Sequence, residues 1–166
     1  MKWIFVFLIT AAVTLILATK DELKITQEML DDYDKSLLTI TEFGVYKVNR
    51  TLNGLKANFT LLRKVDESAM IWVKAYKFLS NTYRLTAIQF AAPIVVMLKS
   101  KDFDLESLFL NYTKPPLVWP LNVGVSYVIK GWYPDSRKFP QNLLEGRWKV
   151  QTSIVLKDER KVCEFS

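Results

Sequence analysis

Apolar and polar residues alternate most regularly near the end of the chain, between Gly146 and Leu156. One side of an extended chain here carries Trp148, Val150, Thr152, Ile154 and Leu156, and the other carries Arg147, Lys149, Gln151 and Ser153. A period of two over about ten residues predicts a β-strand with one buried face. We expect the rest of the chain to pair with this strand or to cover its apolar face.

Similar alternation predicts further strands upstream, at residues 37–49, 55–61, 70–78, 83–90 and 123–132. Asn53-Gly54 precedes the second of these and favours a tight hairpin, so we place a turn there. The strand at 70–78 has apolar residues on both sides, which predicts a central strand covered on both faces. One of its sides carries Trp72, Tyr76 and Phe78, and the other carries Ile71, Val73 and Ala75.

The pattern becomes helical at about residues 92–112. Pro93 fits the first turn of a short helix. Leu105, Leu108, Phe109 and Tyr112 follow at the spacing of one helical face, and Asp102 or Asp104 could cap that helix. The sequence therefore predicts one or two short helices within a mainly β chain.

The first 19 residues form an apolar run after Lys2, too short for an ordinary membrane span of about 20 residues. They predict a secretory signal peptide, with an uncleaved anchor as the alternative. Residues 20–166 then make a single domain.

Residues 20–35 fit either a short strand or a weak amphipathic helix, and Asp31-Asp32 should end either pattern. Val162, Cys163 and Phe165 resemble the start of another strand. Leu143-Leu144 either pack under a loop or face a ligand.

Charge is unevenly distributed along the chain. Residues 20–42 hold seven acidic and three basic residues, and residues 43–166 hold 19 basic and ten acidic ones. Because the basic residues are scattered along the predicted strands, we interpret them as a solvated polar face, with anionic headgroups or sulfated sugars as alternative partners. Nucleic acid is not expected as a partner of a secreted chain. Glycosylation sequons at Asn49, Asn58 and Asn111 agree with secretion, and Asn58 falls on the polar side of its strand.

The chain has no histidine and a single cysteine, Cys163. Histidine-dependent catalysis and most zinc and iron sites are therefore excluded. No glycine-rich phosphate loop occurs, and no spacing of carboxylates selects a catalytic pair. We predict no enzyme, no cofactor and no metal site. Ten Phe, seven Tyr and five Trp remain, enough to fill a core or to line a cup that holds a guest.

Several motifs in order resemble one family. They are Val48-Asn49-Arg50-Thr51, Leu52-Asn53-Gly54, Gly124-x-x-Tyr127-x-Ile129-Lys130, Tyr133-Pro134-Asp135, Phe139-Pro140 and Gly146-Arg147-Trp148. Together they resemble the insect CheA/CheB-type secreted chemosensory proteins, which are distantly similar to the ganglioside activator protein and the ML lipid-recognition domains. The resemblance covers residues from about 37 to the end. It implies a signal peptide followed by an antiparallel two-sheet β-sandwich that is splayed into a β-cup.

The resemblance also implies a function: an extracellular, non-enzymatic protein that binds a lipid or pheromone-like hydrocarbon in chemosensory perception, with a membrane receptor as a further partner. The alternative is an extracellular protein-interaction module with a filled core, acting in receptor or immune recognition, which would display solvent-facing Trp or Tyr clusters. The ligand-lining candidates are Phe59, Leu61, Trp72, Tyr76, Tyr127, Ile129, Trp148, Val150 and Ile154. The lid candidates are Leu105, Leu108 and Phe109. The oligomeric state stays open.

The chain departs from the family at its disulfides. Trp119 stands where a cysteine commonly precedes Pro120, and the stretch around Met97 lacks the other expected cysteine. Loss of a disulfide costs about 2–5 kcal/mol, part of which burial of Trp119 and Met97 could offset. The chain also stops before the final strand that the family would have. Cys163 is therefore half of a missing bridge, a buried thiol, or an intermolecular link.

Overall fold

The structure is a computed structural model that describes residues 15–16, 30–100, 102–139, 146–159 and 161–166. Within these ranges the strands are β1 Leu15–Ile16, β2 Leu30–Tyr33, β3 Leu38–Lys47, β4 Asn53–Leu61, β5 Met70–Leu79, β6 Thr82–Pro93, β7 Thr113–Lys114, β8 Ser126–Trp132, β9 Arg147–Val155 and β10 Lys161–Phe165. The helical elements are α1 Ile94–Met97, a π-helix at Ser107–Asn111, and 3-10 turns at Asp102–Asp104 and Ser136–Lys138.

The strands form two antiparallel sheets. Sheet I has the order β2-β10-β9-β5-β6, and β1 pairs with β9 as well. Sheet II has the order β3-β4-β8-β7. Buried residues of both sheets and of α1 and the π-helix belong to one apolar cluster, which places the core between the sheets. The predicted mainly β fold with two antiparallel sheets and short helices is confirmed.

The strand with the clearest alternation, β9, lies inside sheet I between β10 and β5. Val150 and Thr152 are buried, while Trp148 and Ile154 are partly buried against the core. Its predicted inner face is therefore confirmed. β10 pairs with β9 on one side and with β2 on the other, so the strand predicted at Val162–Phe165 is present.

The turn predicted at Asn53-Gly54 is wrong. The chain reverses direction before Asn53, at residues 48–52, where the backbone N–H groups of Val48 and Asn49 both donate to the Leu52 carbonyl. The Asn49 side chain accepts from the backbone N–H of Thr51 and of Leu52, which closes the turn without glycine. Gly54 instead lies in β4 against the backbone of β8, where a side chain has no room.

The predicted coverage of β5 on both faces is also wrong. Ile71, Val73 and Ala75 face the core, whereas Trp72 on the opposite face is 49% exposed. β5 is central in its hydrogen bonding, because β9 and β6 flank it, but only one of its faces meets the second sheet. Periodicity shows which side chains share a face, and it does not show which face is covered.

The helical stretch is shorter and less regular than predicted. α1 begins after Pro93, which occupies its N-cap position, and the second helix is the π-helix. Asp104 does not cap it. Phe103 and Asp104 have φ angles of 55° and 62°, a left-handed conformation that is costly for residues other than glycine. That conformation turns the buried Asp104 carboxylate toward Lys138.

Three predictions concern the ends and loops. Asp31 and Asp32 do not end the pattern, because they lie in edge strand β2, where pairing with β10 supplies backbone partners. The predicted signal peptide overlaps β1, and its other residues lie outside the described ranges, as does Leu143-Leu144.

Met97 is 1% exposed, as its predicted compensating role requires, and the partly buried Trp119 donates a hydrogen bond to Glu67. In the described part of the chain, no helix has the length and apolar character needed to cross a membrane.

We expect Lys138→Met to destabilise the fold by about 1–3 kcal/mol, because it removes the partner of a buried carboxylate. Lys138 Nζ lies 2.6 Å from Asp104 Oδ1, and the Asp104 side chain is only 6% exposed. Among the described residues, the Asp135 backbone N–H would still donate to that carboxylate, at 3.3 Å. Urea unfolding measures the change. Lys56→Met is the control: it breaks an exposed pair with Glu42 and should cost less than about 1 kcal/mol. Equal effects of the two substitutions would contradict the prediction.

Candidate ligand-binding cavity

A cavity of about 180 Å³ lies between the two sheets. Sheet II contributes Leu38, Ile40, Phe43, Leu55, Ala57, Phe59, Leu61 and Ile129 to its walls, and sheet I contributes Leu30, Ile71, Thr152, Ile154, Val162, Cys163 and Phe165. Ile94, Leu98, Leu108 and Phe109 close it from α1 and the π-helical region, and Val65, Leu117 and Leu121 close it from loops.

Strand pairing explains why these side chains converge. Ala57 pairs with Ile129 across β4 and β8, and Ile71 pairs with Ile154 across β5 and β9. Residues paired across antiparallel strands project to the same side of the sheet, so each pair adds two apolar groups to one wall. Ala57 also leaves space, because its methyl group is the smallest side chain in the lining. The cavity therefore follows from the alternating pattern together with one small residue in β4.

Two borders of the cavity are partly open to solvent. On one side the rings of Phe43 and Phe165 lie 5.7 Å apart and connect β3 to β10. On the helical side, Leu98, Phe109 and Leu121 line the cavity and are only partly buried. These two borders are the places where a guest molecule could enter without unfolding the sheets.

The lining is almost free of polar groups and carries no charged side chain. Only Thr152 and Cys163 bring a hydroxyl and a thiol. Cys163 is free and buried, and desolvation raises the pKa of its thiol to about 12. The thiol is therefore neutral at physiological pH, and the cavity interior has no formal charge. A buried charge needs a paired partner, so this cavity is suited to neutral, apolar matter.

We expect Cys163 in the folded protein to react with a polar thiol reagent on the order of 1,000-fold more slowly than in the unfolded chain. A rise in thiol pKa from 9.0 to about 12 lowers the reactive thiolate by that factor near pH 8. Because the folded pKa is raised, the stability from the neutral thiol is complete below the unfolded pKa of 9.0 and is lost as pH rises toward 12. Denaturant midpoints and modification rates from pH 7 to 11 test both effects. Cys163→Ala should flatten the alkaline slope, and rapid labelling of the native protein would contradict the burial.

The structure brings together part of the predicted site. Of the nine predicted ligand-lining residues, Phe59, Leu61, Ile129 and Ile154 line the cavity. Of the predicted lid, Leu108 and Phe109 line it, while Leu105 is fully buried in the core and does not.

The other predicted lining residues lie elsewhere. Tyr127 and Val150 are buried on inner faces but outside the cavity, and Tyr127 stacks on Phe59 at 5.5 Å. Trp148 is the second residue of β9, and Lys77 Nζ lies 5.3 Å from the centre of its ring. Trp72 and Tyr76 were assigned to the wrong face: Trp72 is half exposed, and the Tyr76 hydroxyl bonds Gln151 on the outer side of sheet I.

Sequence reasoning missed several lining residues. Leu55 and Ala57 alternate with Phe59 and Leu61 in the same strand, so the pattern that identified the latter pair also pointed to them. Cys163 lies in a strand too short to show a period. Thr152 is polar and was not chosen as a lining residue, although the alternation of β9 had already placed it on the predicted buried face, where it is 2% exposed.

The predicted glycosylation sites occupy three different environments. Asn49 is exposed in the turn after β3, and Asn111 is exposed at the end of the π-helix. Asn58 is partly buried on the outer face of sheet II, where its side-chain oxygen accepts from the Ser126 hydroxyl. The predicted polar side of β4 is thus the outer side.

A second, polar pocket of about 440 Å³ lies behind the π-helix. Its lining includes Asp104, Ser107, Tyr112 and Tyr133. The Asp104–Lys138 ion pair and a tyrosine pair with ring centres 6.3 Å apart fill its polar side. Burial and the neighbouring Tyr133 raise the pKa of Tyr112. These groups satisfy one another, and the pocket shares no lining residue with the apolar cavity.

In the described ranges, no group of three or more His, Cys, Asp or Glu side chains is placed to hold a metal ion. The chemistry available in the apolar cavity is therefore noncovalent enclosure, since its lining offers no charge and one neutral, deeply buried thiol.

No protein-family model matches the chain, and no curated protein matches its sequence.

Proposed function

We propose that this protein is a non-enzymatic binder of small, neutral, hydrophobic molecules. The observation that carries the proposal is the apolar cavity of about 180 Å³ between the two sheets, which is open to solvent only in part. Apolar cavities of about 150 Å³ in other proteins stay dry and take up benzene or xenon, because water gains nothing from entering them. A cavity of this size is therefore suited to a guest of about six to eight carbon atoms.

The size of the cavity limits the affinity. Burial contributes about 0.8 kcal/mol per methylene group, so a six-carbon guest gains about 5 kcal/mol before the costs of ordering. Even before those costs, about 5 kcal/mol corresponds to a dissociation constant of about 0.2 mM, so we expect millimolar binding. A longer acyl chain would gain more only if side chains at the partly open borders, such as Phe109 and Leu121, moved aside. We propose short hydrocarbons or small aromatic molecules as the primary ligand class.

The biological setting is also a proposal. The family resemblance described above and the three sequons support a secreted, extracellular protein that samples hydrophobic signals in chemosensory perception, with a membrane receptor as a further partner. Its short-chain ligand would then be a volatile or pheromone-like compound rather than a membrane lipid.

A chain-length series tests the proposal directly. Thermal unfolding and ligand-observed NMR are recorded with benzene, xenon, and linear alcohols of four to twelve carbons. A guest that binds only the folded state raises the unfolding temperature in proportion to its occupancy. We expect affinity to rise with each methylene up to about six to eight carbons and then to level off. Carboxylates of the same length should bind at least about tenfold more weakly than their methyl esters. Absence of stabilisation by every member of the series would refute the function.

The alternative function, an extracellular interaction module, predicted a filled core and solvent-facing aromatic residues. The cavity argues against a filled core. The half-exposed Trp72, however, is a solvent-facing aromatic residue of the kind that this alternative requires. The two functions are compatible, because the cavity and Trp72 lie on opposite faces of sheet I.

A further inference from the structure

The outer face of sheet I, which points away from sheet II, carries aromatic and cationic side chains side by side. Tyr76 of β5 pairs with Leu85 of β6 and with Lys149 of β9. One step along, Phe78 pairs with Tyr83. Paired residues share a face, so these side chains form one surface. We call it the basic aromatic face; it consists of Trp72, Lys74, Tyr76, Phe78, Tyr83, Leu85, Arg147 and Lys149.

This face exposes large apolar groups. Trp72 and Leu85 are each 49% exposed. Phe78 lies between two neighbours, with the Arg147 guanidinium 5.0 Å from its ring centre and the Tyr83 ring centre also 5.0 Å away. Isolated exposed apolar residues are normal, but several large ones on the same face of a sheet indicate an interaction surface.

The charge of the three strands has a single sign. β5, β6 and β9 contain five basic residues and no acidic one. Three of the five, Lys74, Arg147 and Lys149, belong to the basic aromatic face. The scattered basic residues of the sequence are therefore gathered by strand pairing, because β9 is brought beside β5 from 70 residues further along the chain.

The nearest acidic side chain on the adjoining strand is already engaged. Glu164 of β10 accepts from the Ser153 hydroxyl at 2.8 Å and lies 3.0 Å from Lys161 Nζ. It therefore gives little compensation to the positive charge of the neighbouring face. Among the residues that the structure describes, no acidic side chain forms an ion pair with Lys74 or Lys149, so an incoming partner would meet their positive charge.

We propose that the basic aromatic face docks an acidic protein partner. The composition is that of a protein interface, where Trp, Tyr, Phe and Arg are enriched and supply most of the binding energy. A sulfated glycan would need a denser set of cations than three, and the exposed aliphatic side chain of Leu85 would contribute little to its binding. A bilayer is penetrated by protruding loops or amphipathic helices, whereas this surface is a sheet face with Gln89, Gln151 and Ser153 among its aromatic residues.

The area of the face sets the strength of the complex. Three strands of nine to twelve residues, paired over about nine of them, cover about 15 Å by about 30 Å. This is about 450 Å², below the roughly 800 Å² per partner of a standard stable interface. The complex is thus transient, with micromolar affinity that decreases with salt because charge complementarity mainly accelerates encounter.

A displayed library of random 16-residue peptides is the probe for this proposal. The full-length protein is used for selection, and enriched peptides are synthesised and titrated at 50 and 300 mM salt. We expect enrichment of Asp and Glu together with apolar residues. Trp72→Ala and Lys149→Glu should each weaken binding by at least about tenfold, which corresponds to about 1.4 kcal/mol. Val118→Ala and Lys114→Glu, exposed positions outside this face, are the matched controls and should leave binding unchanged.

Several outcomes would overturn the proposal. These are enrichment without acidic residues, peptide binding that is insensitive to Trp72→Ala, and binding that the two control substitutions weaken equally. Retention on heparin, or on phosphatidylserine vesicles, that exceeds peptide binding would assign the face to a polyanion or a membrane instead. Thermal unfolding confirms that each variant is folded. If Trp72→Ala does not fold, Leu85→Ser on the neighbouring strand repeats the test.

This inference does not depend on the proposed hydrophobic ligand. The cavity lies on the opposite side of sheet I, so a variant with a filled cavity should bind the same acidic peptides. Failure of hydrocarbon uptake with intact peptide binding would refute only the proposed function, and the reverse result would refute only the docking face.

Discussion

Gly54→Ala is expected to destabilise the protein by about 3 kcal/mol or more, at the upper end of the cost of overpacking. A Cβ atom at position 54 would lie 2.6 Å from the carbonyl carbon of Gly131 and 2.7 Å from the carbonyl oxygens of Gly131 and Trp132. All three atoms belong to the backbone of β8, so no side chain can rotate away. Gly131 is the unpaired residue of a bulge in β8, with a φ of 75°, which brings the two strands close here. The sheet must separate to admit a methyl group.

Urea unfolding of purified protein measures this change, and the unfolding temperature should fall by about 10 °C. Gly124→Ala is the matched control. Gly124 has a φ of 77°, but a Cβ there would meet no atom within 4 Å. It should therefore cost only the backbone strain of about 1–2 kcal/mol. If Gly54→Ala cost less than Gly124→Ala, the close contact between β4 and β8 would not be a constraint on the fold.

Ala57→Phe is expected to abolish uptake of small hydrocarbons, with a loss of affinity of at least about 100-fold. Ala57 lies in the cavity wall and is 4% exposed, so the new ring would be placed in the space that a guest would occupy. That ring is about as large as benzene, the guest that a cavity of this size accommodates. The substitution should be tolerated better than most insertions into a core, because it fills an existing void.

Benzene titration monitored by NMR compares this variant with Ala87→Phe, which adds the same ring at an exposed position of β6. The control should bind benzene as the natural sequence does. If Ala57→Phe does not fold, Ala57→Leu occupies less of the cavity and should still reduce affinity by at least about tenfold, since it fills part of the space the guest needs. Unchanged uptake by a folded variant would place the ligand elsewhere, with the polar pocket behind the π-helix as the next site to test.

Much of the fold was predictable because alternation is a local property. β9 has a clear period of two, and the structure confirms both the strand and its inner face. Local sequence rules failed where two different structures are compatible with the same residues. Asn53-Gly54 looks like a hairpin turn, but Asn49 forms the turn through its side chain, and the glycine serves a contact with a strand 77 positions away. No local pattern contains that contact.

The candidate site was predicted in part for the same reason. Phe59 and Leu61 line the cavity because their strand has one apolar side, and that side can only be the inner one. Trp72 and Tyr76 belong to a strand with apolar residues on both sides, so the period grouped them correctly but could not choose their face. The small Ala57 side chain leaves a cavity only because of the residues that face it from sheet I. The sequence alone does not show which residues those are.

The sequence by itself determined the long strands, which of their residues share a face, and the apolar character of an interior without histidine or paired cysteines. Only the tertiary structure decided which faces meet, how far apart the two walls stand, and which basic residues become neighbours. The physical reason is that side-chain alternation is fixed by the geometry of each strand, whereas the volume of a cavity and the charge of a surface depend on segments brought together from distant parts of the chain.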